Sequence, residues 1–291
     1  MMMNLKFLGK LFKHKLMLEA YRFKKSDQTI DLIAEAFNGI GARWHGEYDP
    51  IYTYMVMFDY LRQNNVQGSG LEIGGGYSTI LLSEYAATNK LTIRSIDVNP
   101  DKYLRIIPSK SSRRFLFEKI NRVDRLTVSF DEVLIAYRDT LNKKIQEVGI
   151  DSFCEHLGKY VSTDKLSECI NLVKKESLGE YILTLPILKG EKEFYLGNNL
   201  MSGSGYCSEL KSLGEKFDFI FFDCGEYSSL AEWFILEDQI KQGGYVFLHD
   251  IYFPKSIKNF IVASLMESSN KWEVLYVDKY SAQGGLVARR V

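Results

Sequence analysis

From residue 69 onward the chain alternates short apolar runs, each ending near a glycine or an aspartate, with stretches of helical spacing. That alternation is the pattern of a parallel sheet with crossover helices. The runs are residues 70–73, 91–96, 193–196, 217–222, 245–248, 272–277 and 285–289, which predicts seven strands. The polar stretch 278–283 is too short for a crossover helix, so the last two strands are expected to pair antiparallel at one end of the sheet. Between the second and third runs lie residues 100–192, far more than one crossover needs. The apolar positions Phe115/Ile120, Val133/Tyr137/Leu141/Ile145 and Leu166/Ile170/Val173 keep a mostly helical period, which predicts an α-helical cap.

Ahead of the sheet the period is helical. Leu5, Leu8, Phe12, Leu16 and Tyr21 oppose Lys6, Lys10, Lys13, Arg22, Lys24 and Lys25, so residues 3–25 read as a basic amphipathic helix. Such a helix lies on an anionic membrane surface, docks on a second subunit, or packs on its own domain, and the pattern leaves all three open. Residues 27–38 and 50–64 read as two further helices, the second opened by the Asp49-Pro50 pair. The segment 43–52, with Trp44 and Tyr52, is dense in polar aromatics that either cover a ligand's ring or pack in the core.

Composition narrows the picture. The 291 residues are 46% hydrophobic, enough for a substantial core, and 37 basic residues balance 37 acidic ones, so no net field draws the protein to nucleic acid. Arg105, Lys110, Arg113 and Arg114 are a local exception, either a site for a phosphorylated or nucleotide-linked substrate or a solvated charged face. Cys154, Cys169, Cys207 and Cys224 stand singly, without metal-binding or disulfide spacing, which fits a reducing cytoplasm. The N-terminal apolar run is broken by Lys10, Lys13, His14 and Lys15, and no stretch has the length of a spanning helix.

The densest chemistry is Leu71-Glu72-Ile73-Gly74-Gly75-Gly76-Tyr77-Ser78-Thr79, between a predicted strand and a predicted helix. Glycines let the backbone turn tightly and approach a ligand, and the helix N-terminus offers unpaired N–H groups. Thr79 stands where a dinucleotide fingerprint needs its third glycine, so a dinucleotide is disfavoured. Glu72 suits an ammonium, met directly or through water. Asp97, at the tip of the next strand in Ile96-Asp97-Val98-Asn99-Pro100, is placed to accept both hydroxyls of a ribose. Either motif also occurs as a plain turn or cap.

With these residues the chain resembles the class I S-adenosylmethionine-dependent methyltransferases, in which an acidic-x-Gly-x-Gly loop holds the cofactor and an acidic residue after the second strand binds its ribose. Residues 217–223 resemble that family's fourth strand, 242–250 its fifth and 284–289 its closing antiparallel strand. The resemblance implies a Rossmann-like α/β fold, a seven-stranded, mostly parallel sheet with an antiparallel last strand. The resemblance covers residues 69–100 and 193–291; with the helical patterning outside it, the chain is expected to divide into an N-terminal helical extension (1–65), a cofactor-binding domain (66–100 and 190–291) and a helical cap insertion (101–189). It implies cofactor contacts from Glu72, Gly74, Gly75, Gly76, Ser78, Asp97, Asn198 and Asp223.

Glu-Ile-Gly-Gly-Gly-Tyr-Ser-Thr and the Leu-His-Asp ending are similar to small-molecule and sugar O-methyltransferases related to the macrocin and rhamnosyl enzymes. Several of these, and the catechol type, bind a divalent ion on carboxylates after the fourth and fifth strands. Asp223 and Asp250 match, and two such carboxylates suit Mg²⁺. The chain departs from the pattern at Ile251, where the catechol type has Asn, and at Asp223-Cys224-Gly225-Glu226, where the sugar enzymes often have Asp-Gly-x-His. His249 and Glu226 are the candidate bases, with Asp223 beside them; the plain alternatives are a satisfied strand-end histidine and a helix-start glutamate.

The leading expectation is methyl transfer to a hydroxyl of a small molecule, a sugar or glycan precursor, by a cytoplasmic protein with peripheral membrane contact or self-association through residues 3–25. Its rivals are a protein or nucleic-acid methyltransferase and a non-catalytic binding protein on the same fold.

Overall fold

The computed structural model describes residues 50–98, 115–119, 123–124, 129–161, 165–200, 205–278 and 284–291. The basic helix expected at 3–25, the helix at 27–38, the segment 43–49 and the cluster Arg105–Arg114 lie outside the described residues. Helix α1 (Pro50–Gln63) leads into strand β1 (Gly68–Ile73), α2 (Tyr77–Thr88), β2 (Leu91–Asp97) and β3 (Phe115–Lys119). Then come α3 (Phe130–Val148), α4 (Ile150–Tyr160), α5 (Leu166–Lys174), α6 (Leu178–Leu183), α7 (Pro186–Gly197) and α8 (Tyr206–Ser212). The chain returns to the sheet with β4 (Phe217–Phe222), α9 (Ser229–Leu236), β5 (Ile240–His249), α10 (Lys258–Glu267), β6 (Trp272–Asp278) and β7 (Gly285–Arg290).

The strands form one sheet in the order β3-β2-β1-β4-β5-β7-β6. Strands β1 to β5 pair in parallel, whereas β7 runs antiparallel to both β5 and β6. Successive strands leave β1 on opposite sides, β2 on one and β4 on the other, and a crevice opens at the carboxyl ends of strands where the order reverses in this way.

Strand β4, Phe-Asp-Phe-Ile-Phe-Phe, shows how the sequence dictates the layers. Ile220 and Phe222 point to one face and Phe219 and Phe221 to the other, the period of two that a pleated strand imposes. The second face is covered by α1 and α2 through Tyr54, Met57, Phe58, Leu61, Leu81, Leu82 and Tyr85. The first joins Val133, Tyr137, Leu141, Phe153, Leu157 and Tyr160 of α3 and α4 and Phe260 of α10 in a single cluster. The helices inserted after β3 are therefore cored on the sheet itself. Each fully buried phenylalanine contributes about 1.5–3 kcal/mol by leaving water.

The third strand corrects the sequence reading. Residues 193–196 are helical, part of α7, which Pro186 opens at its first turn and whose Leu188 and Tyr195 are buried two turns apart. A four-residue apolar run cannot by its period separate strand from helix. The strand is instead β3, inside the stretch read as an all-helical cap. It is five residues long and lies at the sheet edge, with Leu116 48% exposed, so it carries little of the burial pattern that marks a central strand.

Candidate active site

Register sets the site. Ile73 lies opposite Ile96 on β2 and Phe222 on β4, so Gly74, Asp97 and Asp223 emerge side by side from three adjacent strand tips. Backbone bonds hold them there: Gly74 N–H donates to the Ile96 carbonyl at 2.9 Å and Asp223 N–H to the Ile73 carbonyl at 2.8 Å. Gly74 has φ +83°, and a Cβ built on it would collide with the carbonyl oxygen of Asp223, so only glycine fits. The three residues border a cavity of about 160 Å³ whose other walls include Val98, Val123, Cys224, Ser228 and Glu232. Glu191, Phe194 and Tyr195 of α7 close it from above.

Not every residue read from the glycine loop faces this cavity. Glu72 is fully buried, and its carboxylate accepts hydrogen bonds from Ser78 at 2.5 Å, Thr79 at 2.8 Å and Ser95. Its position on β1 sends the side chain towards α2, so Glu72 and Ser78 fasten the loop from below instead of meeting a ligand. Burial pushes the Glu72 carboxyl up to about 7 although the three hydroxyls pull it back. Gly75 is buried at the turn, and Gly76 donates its N–H to Thr79 Oγ1 at 2.8 Å, closing the entry to α2. Asn198 ends exposed at the C-terminus of α7, donating to the Phe194 carbonyl at 2.8 Å, because the element before it is a helix.

Glu226 is likewise committed elsewhere. Its carboxylate accepts from Ser256 Oγ and from the N–H groups of Ile257 and Lys258, each at 2.8 Å, so it caps α10 and is 5% exposed. It is neither ligand nor base in this arrangement. The loop that carries it is clamped from both sides. Tyr137 of α3 donates to the Glu226 carbonyl at 2.6 Å, and Glu191 of α7 accepts the Glu226 N–H at 2.8 Å.

Asp223, His249 and Asp250 do converge, with ligand atoms all within 4.8 Å of one another. His249 Nδ1 lies 3.3 Å from both Asp223 and Asp250. The ring is 4% exposed and packs against Tyr54 and Phe221, with centroids 5.4 and 6.4 Å away. Burial lowers its basicity, but the two carboxylates outweigh that and hold its pKa above the usual histidine value.

Sequence reading missed the residue that organises this cluster. The Lys258 ammonium sits 2.7 Å from Asp223 Oδ1 and 2.7 Å from Asp250 Oδ2. Burial raises the Asp223 carboxyl, yet Lys258 and then His249 overcome it and hold Asp223 far below the ordinary carboxylate value. Lys258 in turn is kept charged by Asp223, Asp250 and Glu226 against its own burial. The available signal was a lysine opening a helix that is mostly apolar, since a lysine on a buried helix needs a partner. Glu191 and Glu232, also missed, line the cavity with no ion pair among the described residues, and burial pushes each up to about 8.

No protein-family model and no curated protein matches the chain. Solved structures with a similar chain path include a Klebsiella pneumoniae protein assigned provisionally as an O-methyltransferase (13% identity, TM-score 0.43, 94% of this chain and 96% of that one). Others are a Bacillus cereus O-methyltransferase in complex with SAH (12%, 0.40, 94% and 97%) and TomG of Streptomyces achromogenes (12%, 0.38, 92% and 91%). TomG is an O-methyltransferase involved in tomaymycin synthesis, solved with SAM. Likeness at this level says nothing of chemistry, which has to come from the residues. Among the described residues no helix is long and apolar enough to cross a membrane.

Proposed function

We propose that the protein is an S-adenosylmethionine-dependent methyltransferase acting on a hydroxyl group of a small molecule, with a sugar or glycan precursor as the acceptor class. The observation that carries this reading is the meeting of Gly74, Asp97 and Asp223 around one cavity at the point where the strand order reverses. In this reading Asp97, which lines the cavity, accepts the two ribose hydroxyls, and Gly74 lets main chain approach the amino-acid portion without a Cβ in the way. The cofactor's sulfonium supplies an already activated methyl group. The chain's own residues have to align the acceptor oxygen with that methyl and take up a proton. His249, whose Nδ1 lies 3.3 Å from both Asp223 and Asp250, is the proton acceptor in this reading.

One observation favours a second reading, a binding protein without turnover: His249 is only 4% exposed, beneath Tyr54. Calorimetric titration of S-adenosylhomocysteine into the full chain and Asp97→Ala tests the cofactor step. Loss of the charged hydrogen bonds of Asp97 is expected to weaken binding by about 2 kcal/mol, on the order of 30-fold. No binding to the wild type would sink both readings. Binding without S-adenosylhomocysteine release across hydroxylated acceptors, sugars included, would favour the second.

A further inference from the structure

The spacing of Asp223, His249 and Asp250 suits a metal ion, and the resemblance to the catechol and sugar enzymes implies one. The donor set fails on one point: a cation is already there. We propose that the Lys258 ammonium is a built-in replacement for a divalent ion between Asp223 and Asp250, so that the site holds its acceptor oxygen without metal. Lys258 is 8% exposed, lies within hydrogen-bond distance of both carboxylates, and is fixed by the first turn of α10. Glu226 fixes that turn in place through the N–H groups of Ile257 and Lys258. A metal reaching the same two oxygens would stand against this ammonium with like charge in a buried setting, where such repulsion is weakly screened.

The chemistry of the side chain fits the role. A lysine ammonium is a compact point charge with three donors. Two are spent on Asp223 and Asp250, and in this proposal the third donates to the acceptor oxygen. Ile251, standing where the metal-binding pattern has a side-chain oxygen or nitrogen, adds no donor and is fully buried. The exclusion of metal follows from the charges alone. Only the use of the third donor rests on the methyltransferase reading.

Mn²⁺ is the probe. Calorimetry and the spin resonance of free Mn²⁺ are recorded on the full-length wild type, Asp250→Asn, Lys258→Ala and the double variant Lys258→Ala/Asp250→Asn. The wild type is expected to show no saturable binding in the millimolar range. Lys258→Ala is expected to gain one Mn²⁺ per chain and a thermal midpoint that Mg²⁺ raises, and the double variant to lose both. Stoichiometric Mn²⁺ binding by the wild type, abolished by Asp250→Asn, would overturn the proposal. So would a folded Lys258→Ala that binds no metal, which would leave Lys258 a counter-ion only. If Lys258→Ala does not fold, the wild type and Asp250→Asn titrations still decide the first point. None of these readouts involves S-adenosylmethionine, so their outcome is separate from that of the cofactor titration.

Discussion

Three carboxylates on the wall of one cavity behave in opposite ways, Asp223 on one side and Glu191 and Glu232 on the other. Asp223 and Asp250 face Lys258 at 2.7 Å, and Asp223 stays ionised far below the ordinary range. Glu191 and Glu232 line the same cavity and form no ion pair among the described residues; Lys258 only partly offsets the burial of Glu191, and burial pushes each up to about 8. The difference comes from cationic groups at contact distance, Lys258 first and then His249, which only Asp223 has. Desolvation sets the default for a buried acid, and a paired charge at hydrogen-bond distance reverses it. One side of the cleft is thus neutralised by the protein itself, while the other holds protons at neutral pH.

The largest effect is expected from removing the lysine. Lys258→Met leaves two buried carboxylates without their partner, a loss of about 3–5 kcal/mol that urea unfolding would register. A cost below 1 kcal/mol would mean the pairing is incidental.

The uncharged side gives a pH signature of opposite sign. Glu191 and Glu232 bind protons more tightly in the folded protein than in an unfolded chain, whose glutamates titrate near 4.5. Their contribution is fully present below about 4.5 and is lost as pH rises to about 8. Asp223 works the other way: its contribution is present above its ordinary 3.8 and is lost only as pH falls through its depressed folded value. Glu232→Gln should therefore flatten the alkaline decline and stabilise the protein at pH ~8.5 by roughly 1–3 kcal/mol, the scale of an under-compensated buried polar group. Thermal melts from acid to mildly alkaline pH would show it; an unchanged slope would place the charge elsewhere.

The smallest effect sharpens the assignment of Glu226. Glu226→Gln keeps the size of the cap on α10 but weakens its charge at the helix N-terminus, a cost of about 0.3–1 kcal/mol by equilibrium unfolding. A catalytic base replaced in the same way would instead abolish turnover with stability unchanged.

The contrast also explains what the sequence disclosed. Strands β1, β2, β4, β5, β6 and β7 were legible because each holds an apolar run bounded by turn residues, and the antiparallel last pair followed from a connection too short for a helix. Strand β3 was not, since its five residues sit in a long stretch whose other apolar positions keep a helical period. Gly74, Asp97 and Asp223 could be placed because strand ends fix their direction. Glu72, Ser78, Glu226 and Asn198 could not: which way a side chain turns from a loop or strand depends on partners remote in the chain, such as Ser95 for Glu72 and Ser256 for Glu226. Lys258 meets Asp223 across 35 positions, a pairing that no local spacing encodes.

The most direct test is a crystal structure of the full chain grown with S-adenosylhomocysteine and Mg²⁺ together. The account predicts the ribose on Asp97, the amino-acid end against Gly74, and the Lys258 ammonium between Asp223 and Asp250. A ligand bound away from Asp97, or a metal ion between the two aspartates with Lys258 displaced, would contradict it.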